Sequence, residues 1–132
     1  MKQSSGDESA GFFARRVASF GHAFRGLTFA IRSEVHVRID LLATLAVVVA
    51  GLYFELSANE WCSISLAIGL VFATEILNTA IERLVDIVSP EHSAAAGRVK
   101  DIAAGATLVA AGCSVVVGVL IFGPRLLSLL EL

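Results

Sequence analysis

Residues 102–124 run from isoleucine to proline for 23 positions without a charged side chain. A helix needs roughly 20 apolar residues to cross a hydrocarbon core of about 30 Å, so this run spans a bilayer by itself. Two further runs precede it. Leu41–Phe54 is uncharged over 14 residues, which is too short alone. It must extend to about Ile39 and Leu56 and leave its flanking charges near the interfaces. The run that starts at Trp61 is apolar to Thr74, and its helical pattern continues through Glu75 and Glu82 to about Val88. A 132-residue chain that is 56% hydrophobic is too apolar for a soluble domain of that size. The expected class is therefore an all-α integral membrane protein.

Charge sets its orientation. Six of the ten Lys and Arg residues fall in the first 38 positions: Lys2, Arg15, Arg16, Arg25, Arg32 and Arg38. Arg83, Arg98 and Lys100 lie in the 82–101 connection, the 55–60 turn has none, and Arg125 stands alone at the far end. The excess of positive charge belongs on the cytoplasmic side. Three spans, at about 39–56, 61–88 and 101–124, then put the N-terminus inside and the C-terminus outside. A net charge of −2 argues against nucleic-acid binding, which wants a strongly basic face.

Ahead of the spans, residues 1–10 are polar and include Asp7 and Glu8, which does not suit a secretory signal and reads as a disordered tail. Residues 11–132 then form one domain. From Gly11 to about Glu34, Phe12, Phe13, Val17, Phe20, Phe24, Leu27 and Ile31 recur at helical spacing, with arginines between them. That is the pattern of an amphipathic helix lying in the membrane interface. Ser57 reads as a helix cap and Trp61 as an interface anchor. Ser89-Pro90 stops the second span. In the third, Ala106, Ala110, Ser114 and Gly118 recur every four residues, a spacing that lets helices approach closely in lipid.

The second span carries ionisable groups where a membrane tolerates them least. At 100° per residue, Glu75, Asn78, Glu82 and Asp86 share about an 80° arc of one helix face. A polar seam that holds helices together by hydrogen bonds would account for Asn78. Two glutamates and an aspartate ask for more, because each charge near the bilayer centre costs roughly 2.5–3.5 kcal/mol on insertion scales. The stripe reads as a functional site. Glu34 and Glu82 could share a divalent cation, and Mg²⁺ suits one or two carboxylates completed by water and phosphate. For Glu34, a solvated charge at a helix end is the alternative. Lys100 beside them suits phosphate. No P-loop, kinase glycine loop or H-E-x-x-H motif occurs. His22, His36 and His92 are too scattered for a zinc site, and Cys62 and Cys113 read as small residues in apolar stretches. The residues imply a polar, metal-binding site at the cytoplasmic lipid–water boundary without naming a reaction.

Glu75-Ile76-Leu77-Asn78-Thr79-Ala80-Ile81-Glu82, then Val85-Asp86, then Gly97-Arg98-Val99-Lys100-Asp101, closely resembles the motif of the prokaryotic diacylglycerol kinase/undecaprenol kinase family. The resemblance covers about residues 12–125. It implies a homotrimeric lipid kinase of the bacterial inner membrane that transfers the γ-phosphoryl group of MgATP to a lipid hydroxyl. It implies Glu75 as the catalytic base, Asn78 as a residue that helps order the site, and Glu34 and Glu82 as the carboxylates that hold Mg²⁺ with the ATP phosphates. Lys100 and Asp101 match nucleotide contacts, as do Arg15, Glu91, His92 and Ser93. Arg15 and Glu75 also match the lipid side, and Asp86 supports the stripe. His22 stands where the family often carries tyrosine at a nucleotide contact. Phosphoryl transfer needs an in-line hydroxyl, charge neutralisation and a base, and this set supplies them.

The segment Leu56–Leu70 and the stretch Val37-Arg38-Ile39-Asp40-Leu41-Leu42 look more like the undecaprenol kinase branch, although Asp40 replaces the histidine often found there. The expected acceptor is undecaprenol, with diacylglycerol as the alternative. A non-catalytic membrane subunit or channel that uses the stripe for helix association is the rival of another class. The charge asymmetry carries its own test. Cys62 should react with a membrane-impermeant thiol reagent from outside, a cysteine placed at Ser93 should not, and Cys113 should resist from either side.

Overall fold

A computed structural model describes the backbone of residues 5–91 and 93–130, and side chains from residue 18 onward within those bounds. The described residues form four helices and no strand: α1 (Ser5–Ser33), α2 (Val35–Tyr53), α3 (Ala58–Val88) and α4 (Ala94–Leu130). The latter three are each long and apolar enough to cross a membrane. The chain divides into two compact units, residues 1–33 and 34–132. The first is α1, whose described part exposes Phe20, Phe24, Phe29 and Ile31 together with Arg25 and Arg32. The second holds α2, α3 and α4.

The helix ends differ from the expected bounds for local reasons. α1 starts at Ser5, well before Gly11. α2 starts at Val35 and stops at Tyr53. Its end is a Schellman motif: the Leu56 N–H donates to the Gly51 carbonyl at 3.1 Å and the Glu55 N–H to the Leu52 carbonyl at 3.3 Å. Glu55 takes the left-handed conformation there, φ 50°, where glycine is usual. α4 starts at Ala94 because Ser93 caps it, its Oγ accepting from the Ala96 N–H at 3.1 Å. It also runs past Pro124 to Leu130. Proline there removes one N–H, and the Arg125 guanidinium donates to the neighbouring Ile121 carbonyl at 2.6 Å. α3 holds its expected bounds most closely. Ser57 and Glu60 form a capping box at its start, and Ser89-Pro90 ends it.

α3 packs along α4, with α2 against α3. At the end where α3 begins, Leu56, Ile64 and Ile121 are buried, with Val47, Phe54, Trp61 and Phe122 packed around them. The Phe54 and Phe122 rings stand 6.2 Å apart. Arg125 grips Glu60 with two nitrogens on two oxygens, at 2.8 and 3.0 Å, which ties the end of α4 to the start of α3. At the other end of the pair, Lys100 of α4 bonds Asp86 of α3.

Gly51 is the tight point of this end. A Cβ there would lie 2.8 Å from Cη2 of Trp61 and 3.1 Å from a Leu56 methyl. Gly51→Val should therefore destabilise the detergent-solubilised protein by about 1–3 kcal/mol, as overpacking does. The chain has one tryptophan, so its fluorescence should shift along with the lowered unfolding midpoint.

Candidate functional site

α3 sorts its side chains by helical phase. Leu66, Leu70, Leu77, Leu84 and Ile87 are exposed, while Glu75 and Thr79 are only 6% and 7% accessible. Glu75 and Thr79 are four residues apart, as are Asn78 and Glu82, so each pair shares a face. The Asn78 amide nitrogen donates to Glu82 Oε1 at 3.1 Å. These four residues line a cavity of about 560 Å³. α2 contributes Glu34, His36 and Asp40 to its wall, and α4 contributes Ala104, Thr107, Leu108 and Ala111. Four carboxylates and one imidazole thus face one space between three apolar helices.

Two details define its electrostatics. Glu34 stands at the N-cap position of α2 but makes no side-chain cap bond. Its carboxylate instead accepts from Arg83 of α3 at 3.1 Å. Asn78 Oδ1 is buried without a hydrogen-bond partner. An unmet buried acceptor costs about 1–3 kcal/mol.

The expected site residues separate into three groups. Glu34, Glu75, Asn78 and Glu82 come together in the cavity. Asp86 and Lys100 lie elsewhere: they pair with each other and line a smaller pocket of about 110 Å³ with Ser89, Pro90, Ser93 and Gly97. Asp86 shares the phase of the stripe, yet it answers Lys100, which lines this smaller pocket and not the cavity of Glu34 and Glu82. Ser93 lines that pocket while it caps α4. The Glu91 carbonyl accepts from the Ser89 hydroxyl, and Asp101 is exposed and lines neither space. His92 lies outside the described residues. The third group belongs to the N-terminal unit. There His22 Nδ1 accepts from Arg25 at 2.8 Å, and the Arg15 side chain is outside the described ones. Among the described residues, no group of three or more His, Cys, Asp or Glu side chains is disposed to hold a metal ion.

Sequence reasoning leaves His36 and Asp40 out of the site, weighing His36 only against zinc and Asp40 only as a departure from the family's usual histidine. Both sit ahead of Leu41, where the uncharged run begins, and so look like flanking residues. Their spacing of four, two residues after Glu34, is the signal that places them on one face of α2.

The prokaryotic diacylglycerol kinase family matches residues 21–122. The chain belongs to that family. An undecaprenol kinase from Bacillus subtilis is 44% identical over 108 residues, which cover 82% of this chain and 88% of that one. A diacylglycerol kinase from Synechocystis is 36% identical over 115 residues, 86% of this chain and 66% of the relative. A diacylglycerol kinase from Escherichia coli K12 is 33% identical over 98 residues, 74% and 80% of the two chains. Membership makes this kinase family protein an enzyme and disposes of the non-catalytic alternative. All the cavity residues, from Glu34 to Ala111, lie inside the matched range, while Arg15 precedes it.

Proposed function

We propose that the protein phosphorylates the hydroxyl of a membrane lipid with ATP, at the cytoplasmic face of a bacterial inner membrane, and that undecaprenol is its preferred acceptor. The observation that carries the reading is a buried carboxylate, Glu75, in a carboxylate-rich cavity between three membrane-crossing helices of a kinase family member. The identity to an undecaprenol kinase favours the polyprenol. The diacylglycerol kinases among the relatives keep diacylglycerol as the second reading.

In this mechanism Glu75 accepts the proton of the lipid hydroxyl as the hydroxyl oxygen attacks the γ-phosphorus, and the bond from that phosphorus to the β,γ-bridging oxygen breaks to release ADP. Asn78 fixes Glu82 through its amide nitrogen and offers Oδ1 to a donor in the cavity. Glu34 and Glu82 would hold Mg²⁺, which suits two protein carboxylates completed by water and phosphate oxygens. When bound, that ion neutralises charge on the phosphates. Lys100, at the end of the bundle where α3 stops, would meet nucleotide phosphate by exchanging its bond to Asp86. Asp101, Glu91, His92, Ser93, His22 and Arg15 are assigned to the nucleotide with it, and Arg15 also to the lipid. A homotrimer, with N-termini cytoplasmic, completes the proposal. The deciding assay is ATP-dependent phosphorylation of undecaprenol and diacylglycerol offered in the same detergent, compared as kcat/KM. A higher value for undecaprenol is expected. A higher value for diacylglycerol would overturn the acceptor and leave the lipid-kinase reading.

Glu75→Gln keeps the size of the side chain and removes the base, so kcat should fall by at least about a hundredfold with nucleotide binding intact. Near-normal turnover by a folded Glu75→Gln protein would sink that role. Glu34→Ala and Glu82→Ala should each weaken Mg·nucleotide binding, and the double variant should lose little more than either single one, since residues that share one ion act as a unit. Titration of Mg·nucleotide binding in the three variants checks this, and additive losses would argue for separate roles.

A further inference from the structure

Beyond the Glu75 cavity, nearer the middle of α2, α3 and α4, lies a narrower cleft of about 180 Å³. It shares Asp40, Val71 and Ala111 with that cavity and continues to Val47, Phe72 and Ser114. The three shared residues come from three different helices, so the two spaces adjoin across the full width of the bundle. Their chemistry differs sharply. The cavity has four carboxylates and an imidazole. The cleft has one carboxylate, Asp40, at the shared end, the hydroxyls of Thr44 and Ser114, and otherwise alkyl and aromatic wall.

A lipid whose hydroxyl reaches Glu75 must send its hydrocarbon away from the carboxylates, toward the middle of the helices. The cleft is a path of that kind, and it is about a third the size of the cavity. A diacylglycerol would bring two chains and two ester carbonyls close behind its hydroxyl. A polyprenol brings a single chain and no acceptor beyond its hydroxyl.

We propose that this cleft receives the hydrocarbon segment next to the reacting hydroxyl and selects a single-chain polyprenol over a two-chain diacylglycerol. The inference rests on the lipid-kinase reading of the adjoining cavity. Its test is a series of prenols of five, ten and fifteen carbons, assayed with ATP on the full-length protein beside undecaprenol and diacylglycerol. In the unaltered protein kcat/KM should climb at least about tenfold from five to fifteen carbons as isoprene units enter the apolar cleft. Ser114→Leu fills the cleft away from Glu75, and should flatten that climb while keeping the five-carbon rate. Phe72→Ala widens it, and should raise the diacylglycerol rate relative to undecaprenol at least about fivefold. A climb that survives Ser114→Leu, or a ratio that Phe72→Ala leaves unmoved, overturns the assignment. Loss of every rate in Ser114→Leu together with a changed oligomeric state, and an unmoved ratio in Phe72→Ala, would give the cleft to a second copy of the chain and also overturn it. If the unaltered protein phosphorylates no lipid or prenol at all, the lipid-kinase reading itself has failed, and the cleft proposal falls with it.

Discussion

The rotation of α3 about its own axis is what the site depends on. In hydrocarbon an ionisable side chain that faces lipid is costly, so the helix must turn Glu75, Asn78 and Glu82 toward protein and leave Leu77, Leu84 and Ile87 outside. Two ion pairs hold it so. Glu60 in its first turn is clasped by Arg125 of α4, and Asp86 near its end is held by Lys100 of the same partner helix. The bidentate, part-buried clasp of Glu60 opposes rotation and sliding, while the exposed Asp86–Lys100 pair adds less. Lipid supplies no hydrophobic force between helices, so such directed contacts matter more here than in a soluble core.

The two ends of this pair have different work. At one end the capping box, the Schellman turn and the packing of Trp61 over Gly51 make a dry, closely fitted junction. At the other, the helices separate enough to enclose a polar cavity, and its wall includes an amide oxygen with no partner. The rigid end allows the open end its unmet groups. A site with a buried orphan acceptor and several like charges opposes folding locally, and the well-packed junction offsets that.

What the sequence makes legible follows from how local each cause is. The capping box at Ser57 and Glu60 spans four residues and is visible at once, as is the stop at Ser89-Pro90 and the shared face of Glu75, Asn78 and Glu82. The clasp of Glu60 by Arg125 links positions 65 residues apart, and nothing in either neighbourhood announces it. Glu55 in a left-handed turn hides the end of α2, because the usual glycine is missing. Ser93 hides the start of α4 by resembling part of a polar loop. Asp86 illustrates a further limit: helical phase puts it on the stripe, but a lysine on the next helix draws it away. Asp40 and His36 are not read as part of the site because an apolar run is naturally bounded at its last charge, whereas the helix that carries it begins earlier.

On the proposed mechanism, the position of Glu75 would account for a kinase site without a glycine-rich phosphate cradle. The two proposed substrates differ in solubility, and on that proposal the difference would be used along the helix axis. Glu34 and Glu82 are nearer the ends of α2 and α3, within reach of a soluble nucleotide. Glu75 lies two turns further along α3 from Glu82, and the cleft of Phe72 and Ser114 lies beyond it. A hydrophilic phosphate donor entering from the helix ends and an amphiphilic alcohol entering from the lipid side would meet between those levels. Solvation would bring each partner to its own depth before any specific contact forms, so positioning, which dominates phosphoryl transfer, would be shared between the protein and the membrane. On this geometry a base placed one turn nearer the helix ends would sit among the phosphates, and one placed a turn deeper would sit among hydrocarbon. The carboxylate belongs where the lipid hydroxyl and the γ-phosphate can both reach it.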